Sequence, residues 1–218
     1  MEGALRLGMP LSSHTVARLV LYLQELIRWN AKVNLTGHRT QEDILTKDFL
    51  DSLAAWPLIK PDPGLIRPGP GLRMLDIGTG AGFPGLVLKI QDPDLAVTLL
   101  EPVQKKAAFL HHVMGRLGIS GARVLTAKVE DLAVGHTPGA FDPKPGLMDR
   151  FDLITGRAIR PEIILAESPR LLAPGGRVLL FRANPIVQAP SGYRLVQEQS
   201  FTLPFTNDPR TLTLLART

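Results

Sequence analysis

The sequence predicts an α/β fold, in which a mostly parallel, seven-stranded sheet is flanked by helices and preceded by a small helical cap. Two observations lead to this prediction. From residue 73 onward, short apolar segments alternate with segments whose apolar residues recur at helical spacing, and the connections are mostly short. Such alternation is typical of a parallel sheet covered by helices. Residues 1–57, in contrast, show only helical patterns, and we assign them to the cap.

The cap is expected to contain two helices. Ser12 or Ser13 can cap the first, whose apolar face continues to about Asn30. Thr40 begins a sequence that resembles a capping box for the second helix. Pro57 is expected to stop that helix, because proline disrupts a helix interior.

A linker rich in proline and glycine is predicted at 58–72, and the main domain at 73–218. The predicted strands are 73–77, 96–100, 122–127, 151–155, 177–181, 195–203 and 212–215. The predicted helices are 84–91, 103–117 and 161–172. The last two strands are expected to form a final hairpin, which would put one antiparallel strand at the end. A segment rich in glycine and proline, 135–150, is interpreted as a long inserted loop.

A glycine-rich loop follows the first strand and is the most informative motif of the chain. It contains Asp76, Gly78, Gly80, Gly82 and Gly85. Glycine permits positive φ and a close approach of ligand to backbone, so we expect a cofactor site at the carboxyl edge of the sheet. The loop fits the dinucleotide pattern G-x-G-x-x-G from Gly80, and the D-x-G-x-G-x-G pattern of S-adenosylmethionine (SAM) methyltransferases from Asp76.

Two details favour SAM over a dinucleotide. Asp76 lies two residues before the first glycine, where its carboxylate can hold the loop or, through water, the cationic amino acid end of SAM. A dinucleotide pattern beginning at Gly80 would start late in the loop. The sequence therefore predicts a Rossmann-like domain that binds SAM.

Acidic residues after the next two strands are further candidates for the cofactor site. Glu101 ends the second strand, where an acid can accept hydrogen bonds from both ribose hydroxyls of an adenosine cofactor. It could instead complement the dipole of the following helix. Val129 and Glu130 follow the third strand, where the loop is expected to face adenine, and Asp131 could simply cap a turn.

The end of the fourth strand is expected to face the transferred methyl group. It reads Gly156-Arg157-Ala158, without the Asn/Asp-Pro-Pro-aromatic motif of enzymes that methylate exocyclic amines. The chain has no cysteine, which excludes the cysteine-dependent route to cytosine C5. A ring nitrogen with a free lone pair, such as guanine N7, needs only orientation and proximity. No catalytic residue is therefore assigned, but Arg157 could orient cofactor or substrate, unless it is a surface arginine.

Charge and composition suggest a nucleic-acid partner and a cytoplasmic location. The net charge is +5, and the stretch 103–128 has no acidic residue. Its cations are Lys105, Lys106, Arg116, Arg123 and Lys128. Basic residues beside a cofactor loop fit a nucleic-acid substrate, and Lys32, Arg39 and Lys47 add positive charge to the cap, which could face RNA. No signal peptide, membrane span or metal site is predicted.

Several linked motifs resemble one family over nearly the whole chain. They are Trp29-Asn30 with Asn34-Leu35-Thr36, Phe49-Leu50-Asp51-Ser52-Leu53, the loop from Asp76 to Gly85, Leu100-Glu101 with Lys105-Lys106 and Phe109-Leu110, and Phe151-Asp152 with Gly156-Arg157-Ala158. The chain is similar to the bacterial small-subunit ribosomal RNA guanine-N7 methyltransferases, the RsmG or GidB family. Asp48 departs from the histidine that this family usually has there.

The resemblance implies a class I SAM-dependent methyltransferase that methylates guanine N7 in 16S rRNA, with position 527 as the expected target. The implied partner is 16S rRNA or the small ribosomal subunit, and a monomer is expected. The SAM contacts that it implies are Gly78, Phe83, Val129, Glu130 and Arg157, and Glu101 fits the ribose role as well. An aromatic wall also suits a sulfonium, and Phe83 is a candidate for it.

Two other functions remain open from the sequence. An NAD-dependent oxidoreductase would need a hydride-transfer partner, typically histidine or a Tyr-Lys pair, and we find no such arrangement around the two tyrosines. A SAM- or RNA-binding module without catalysis is harder to exclude, because transfer to N7 requires no catalytic base that could be searched for.

Overall fold

The computed structural model describes residues 2–59, 71–132 and 150–218, which include a seven-stranded sheet. The strands are β1 Arg73–Ile77, β2 Ala96–Leu100, β3 Ala122–Leu125, β4 Phe151–Gly156, β5 Leu172–Arg182, β6 Tyr193–Thr202 and β7 Pro209–Arg217. Their order is β3-β2-β1-β4-β5-β7-β6. Strands β1 to β5 pair in parallel, and β7 is antiparallel to both of its neighbours. The predicted fold class is confirmed.

The antiparallel strand lies next to the edge of the sheet, because β7 inserts between β5 and β6. The burial of the two strands explains this order. Residues 211–216 of β7 are all buried, whereas β6 is largely exposed. A continuous apolar run suits a strand with both faces covered, and the more polar strand takes the edge.

The helices of the cap are shorter and more broken than predicted. They are α1 Glu2–Arg6, α2 Ser13–Asn30, α3 Gln41–Asp43, a π-helical stretch Ile44–Leu50, α4 Asp51–Leu53 and α5 Trp56–Ile59. Ser12 and Thr40 accept a backbone hydrogen bond as N-caps of α2 and α3. The expectation that Pro57 stops the second helix is wrong, because Pro57 lies in the first turn of α5. An N–H has no helical partner in the first turn, so proline is tolerated there.

The remaining helices lie between the strands. They are α6 Gly85–Gln91, α7 Gln104–Leu117 and α8 Pro161–Leu171, and a 3₁₀ turn covers Val129–Asp131. No helix in the described parts of the chain is long and apolar enough to cross a membrane. Most of the predicted linker, 60–70, and the predicted inserted loop up to residue 149 lie outside the described residues.

Alternation along β1 divides the core between the two faces of the sheet. Met74 packs with α6, α7 and the cap, whereas Leu75 and Ile77 pack on the face that α8 covers. Leu23 and Leu26 of α2 belong to the same buried cluster as Met74. The cap and the sheet therefore share one core, in which α2 packs against α6 and α7 and its Tyr22 reaches the glycine loop.

Candidate active site

The glycine loop between β1 and α6 needs glycine for two different reasons. Gly78, Gly80 and Gly82 have φ of +66°, +61° and +108°, which side chains rarely adopt. A Cβ on Gly80 would meet no heavy atom within 4 Å, so this residue faces open space. A Cβ on Gly82 would lie 2.6 Å from the hydroxyl of Tyr22. Gly80 thus leaves room for a ligand, and Gly82 permits close packing with the cap.

Asp76 holds the two ends of the loop together. Its Oδ2 accepts hydrogen bonds from Thr79 Oγ1 at 2.6 Å and from the backbone N–H of Gly85 at 2.8 Å. The side chain is fully buried, and its Oδ1 has no hydrogen-bond partner among the described residues. Burial raises the pKa of Asp76 from 3.8 to about 7, although the Thr79 and Gly85 bonds oppose that rise. A cationic group bound beside this oxygen would favour its ionised form.

Glu101 connects the loop to the start of α7. Its Oε2 accepts a hydrogen bond from the backbone N–H of Gly80, and its Oε1 accepts one from that of Val103, both at 2.9 Å. Each carboxylate oxygen has a second lone pair, so a ribose hydroxyl could still donate to Glu101. Glu101, which is predicted to bind the ribose, therefore lies beside the open space at Gly80.

The turn after β3 is held in place by hydrogen bonds from a side chain of α8. Arg170 donates a hydrogen bond to the carbonyl of Val129 at 2.6 Å and another to the carbonyl of Leu132. The Val129 side chain is buried and that of Glu130 is exposed. Both predicted adenine contacts thus stand at the carboxyl end of β3, next to the segment that carries Glu101.

Arg157, at the end of β4, is bound by the cap. Its guanidinium donates to Asp48 and to the carbonyl of Lys47, and it lies 3.4 Å from Asp51 Oδ2. The guanidinium carbon is 5.2 Å from the centre of the Phe83 ring. Its Nε is buried and has no hydrogen-bond partner in the described parts of the chain. Arg157 therefore joins the cap to the glycine loop.

The partners of Arg157 were not found by sequence reasoning. Asp48 and Asp51 lie more than 100 residues earlier in the chain. Asp48 is 2 % exposed, and its other oxygen accepts hydrogen bonds from Thr36 and contacts His38 at 3.0 Å. The only available signal was that Asp48 replaces a residue usual in the resembled family. Burial raises the pKa of Asp51, and the nearby Arg157 opposes the rise.

Phe83 packs against the aromatic residues of the cap. Its ring is stacked on that of Tyr22, with centroids 5.6 Å apart, and meets the Phe49 ring edge-on at 5.2 Å. Phe83 is 4 % exposed, which leaves little of the ring for a cofactor. The Tyr22 hydroxyl donates a hydrogen bond to the carbonyl of Ala81, and burial raises the pKa of Tyr22 well above its usual value. The aromatic cluster thus supports the loop from the cap side.

The structure brings the predicted residues together at one edge of the sheet. The glycine loop, Glu101, Val129 and Arg157 follow β1, β2, β3 and β4, which are neighbouring parallel strands. Ligands of open α/β sheets bind at this carboxyl edge. The unpartnered oxygen of Asp76 and the open space at Gly80 fit an adenosine cofactor with a cationic amino acid end.

Comparisons with known proteins identify the family of this chain. The family described as GidB, rRNA small subunit methyltransferase G, matches residues 15–206. A relative from Myxococcus xanthus (strain DK1622), named ribosomal RNA small subunit methyltransferase G, is 34% identical over 99% of this chain and 94% of its own length. A relative of the same name from Roseiflexus sp. (strain RS-1) is 35% identical over 96% of this chain and 86% of its own length.

Two solved structures share the fold at low sequence identity. TrmN from Thermus thermophilus gives a TM-score of 0.55 at 20% identity, over 80% of this chain and 53% of TrmN. A mutant of MtNAS in complex with S-adenosylmethionine gives 0.53 at 16% identity, over 94% of this chain and 76% of MtNAS. This chain spans about half of TrmN, and at these identities the likeness concerns the fold alone.

Proposed function

The chain belongs to the rRNA small subunit methyltransferase G family, and we propose that it transfers the methyl group of SAM to N7 of a guanine in 16S ribosomal RNA. SAM-dependent methylation of rRNA is the activity of this family. The observation that carries the proposal is the geometry of the glycine loop. Asp76 and Glu101 each accept a hydrogen bond from this loop, and Gly80 faces open space.

SAM would lie along the carboxyl ends of β1, β2 and β3. It supplies an electrophilic methyl group carried on a positively charged sulfur. We assign its cationic amino acid end to the loop around Asp76, Gly78 and Gly80. Its ribose hydroxyls would donate to Glu101, and its adenine would meet Val129 and Glu130. This assignment is supported by the order of those strands in the sheet and by the unpartnered Asp76 oxygen.

The protein's part in the reaction would be orientation. The guanine N7 lone pair forms the new bond, the methyl–sulfur bond breaks, and the positive charge moves from sulfur to the base. No proton is transferred, so the reaction needs no general base. Arg157 is the candidate to orient the base or the cofactor, since it lies at the end of β4 and is fixed by Asp48 and Asp51. Holding the reactants in line supplies the rate enhancement.

A methyl-transfer assay tests this proposal. The purified protein is incubated with radiolabelled SAM and small ribosomal subunits from a strain that lacks the modification. Strand scission specific for N7-methylguanine then locates the label. We expect a single cleavage in 16S rRNA. SAM binding by calorimetry without any incorporation would contradict the proposal and favour a non-catalytic binding module.

We further propose that the protein acts as a monomer in the cytoplasm, where ribosomal RNA is modified. Light scattering of the purified protein, alone and with SAM, tests the oligomeric state against the 23.8 kDa mass of one chain. A mass of twice that value would contradict the proposal.

A further inference from the structure

We propose that solvent-accessible cations on both sides of the glycine loop bind phosphates of the rRNA, so that the target base enters between them. We call these residues the basic edge: Lys32, Arg39, Lys105, Lys106, Lys128 and Arg160. This inference rests on the proposed function, because it names the surface on which that RNA would lie.

Four residues of the basic edge follow the carboxyl ends of the strands that form the site. Lys105 and Lys106 stand in the first turn of α7, directly after β2 and its connection. Lys128 precedes the 3₁₀ turn after β3, and Arg160 precedes α8 after β4. Because β1 to β4 are neighbouring parallel strands, these positions share one edge of the sheet.

The packing of α2 brings Lys32 to the same edge. Near its start, α2 donates a hydrogen bond from Arg18 to the carbonyl of Leu117, at the end of α7. Near its end, the Trp29 ring lies 5.6 Å from the Phe109 ring, two turns earlier in α7. The two helices therefore run antiparallel, and α2 ends beside the first turns of α7, where Lys105 stands.

The cap segment after α2 then crosses toward the end of β4. Asn30 fixes its beginning by accepting backbone hydrogen bonds from Leu35 and Thr36, at 2.7 and 3.1 Å. His38 near its end lies 3.0 Å from Asp48, which binds Arg157. The segment thus connects the α7 side of the site to the β4 side, with Lys32 near one end and Arg39 near the other.

Within the described residues, no acidic side chain neutralises the basic edge. None of its six residues has a carboxylate oxygen within 4 Å in the described parts of the chain. Other cations do: Lys47 lies 2.8 Å from Asp43, and Arg28 lies 3.1 Å from Glu25. Glu130 and Asp131 are exposed acids near Lys128 but form no ion pair with it. Five of the six side chains are exposed, and Lys106 is half-buried. They are therefore available for phosphates.

Placement on both sides of the loop matches the geometry of a base within a strand. A base that reaches an enclosed site has backbone phosphates on its 5′ and its 3′ side. Cations near α7 could hold one flank and those near β4 the other, while the base lies over the glycine loop. Phosphate contacts of this kind fix register and orientation, which is what a reaction without a general base requires.

Salt dependence of RNA binding tests the basic edge. The affinity of the protein for an unmodified 16S rRNA transcript is measured over a series of salt concentrations. Each phosphate contact contributes about 0.7 to 0.9 to the slope of log affinity against log salt. This slope is negative, and the double variant Lys105→Gln/Lys106→Gln is therefore expected to make it shallower by about 1.4 to 1.8.

A matched control removes the same charge at the opposite edge. Arg177 pairs in register with Ala216 near the end of β7, and Arg194 stands at the start of β6, so both lie toward the amino ends of the parallel strands. The double variant Arg177→Gln/Arg194→Gln should leave the slope unchanged. Equal slope changes in the two double variants, or none in the Lys105/Lys106 variant, would overturn the basic edge.

Calorimetric SAM affinity guards against a folding defect and should be unchanged in both double variants. If the Lys105/Lys106 variant binds SAM more weakly, the variant Lys32→Gln/Arg39→Gln replaces it, with the same slope reduction expected and an unchanged slope overturning the basic edge. If the wild-type protein transfers the methyl group but neither the Lys105/Lys106 nor the Lys32/Arg39 variant has a shallower slope, the basic edge alone is refuted. If the slope is shallower in the variant of the basic edge but the wild-type protein transfers no methyl group, the proposed function alone is refuted.

Discussion

Replacing the buried Asp76 by asparagine should remove a pH dependence of stability. In the unfolded chain this carboxyl has its ordinary pKa of 3.8, and it has lost its proton by pH 5. In the folded protein, burial raises the pKa to about 7, so the carboxyl keeps its proton until then. The unfolded state therefore binds fewer protons in this window, and the stability of the wild type falls as the pH rises. Integrated from pH 5 to pH 7, the loss is about 2 kcal/mol.

Urea denaturation at pH 5, 6 and 7 measures this effect for wild type and Asp76→Asn. The variant still presents an oxygen to Thr79 and Gly85, but it has no proton to lose. Other titrating groups, including Asp51 with its raised pKa, are present in both proteins and cancel in the comparison. We expect the stability of the wild type relative to the variant to decline by about 2 kcal/mol over the range. Parallel stability curves would refute the argument that burial keeps Asp76 protonated.

Three further predictions concern the loop and the cap. Gly80→Val has open space for its Cβ, but a β-branched residue at φ +61° strains the loop backbone, so the variant should be about 1 to 3 kcal/mol less stable and should lose SAM binding by calorimetry; near-wild-type affinity would contradict our placement of the cofactor. Arg157→Ala leaves the buried Asp48 carboxylate without its cation and should cost about 3 to 5 kcal/mol in urea denaturation; a cost below about 1 kcal/mol would contradict a structural ion pair. Tyr22→Phe keeps the ring but removes the donor to the Ala81 carbonyl, and should lower the melting temperature through a loss of about 1 to 2 kcal/mol; an unchanged value would mean that water replaces the bond.

The order of strands and helices could be predicted because each element has its own local sequence pattern. A strand, a glycine loop and a helix follow one another within residues 73–91, and the same alternation repeats along the chain. Element ends were less accurate where pairing decides them. The strand predicted at 212–215 extends over Pro209–Arg217, because β5 and β6 pair with it on both sides. That β7 lies between them depends on burial across the sheet, which a local pattern does not contain.

The candidate site was predictable in its backbone and not in its side-chain partners. Position after a parallel strand is enough to bring the glycine loop, Glu101 and Arg157 to one edge. The side chains that hold them come from distant parts of the chain: Asp48 binds Arg157 across 109 residues, and Tyr22 reaches Ala81 across 59. Such pairs leave no periodic or spacing signal in a single sequence, so they became visible only in the folded protein.

The shared core of cap and sheet has a consequence for how the chain is made. The apolar face of α2 includes Leu19, Leu23 and Leu26, and Arg18 at its start bonds to Leu117, 99 residues later. At a synthesis rate of about 5 to 20 residues per second, α2 leaves the ribosome about 5 to 20 seconds before α7 exists to cover it. The helix that is synthesised early is thus buried late. Until the sheet is complete, the nascent chain exposes the apolar face of α2, which chaperones can bind.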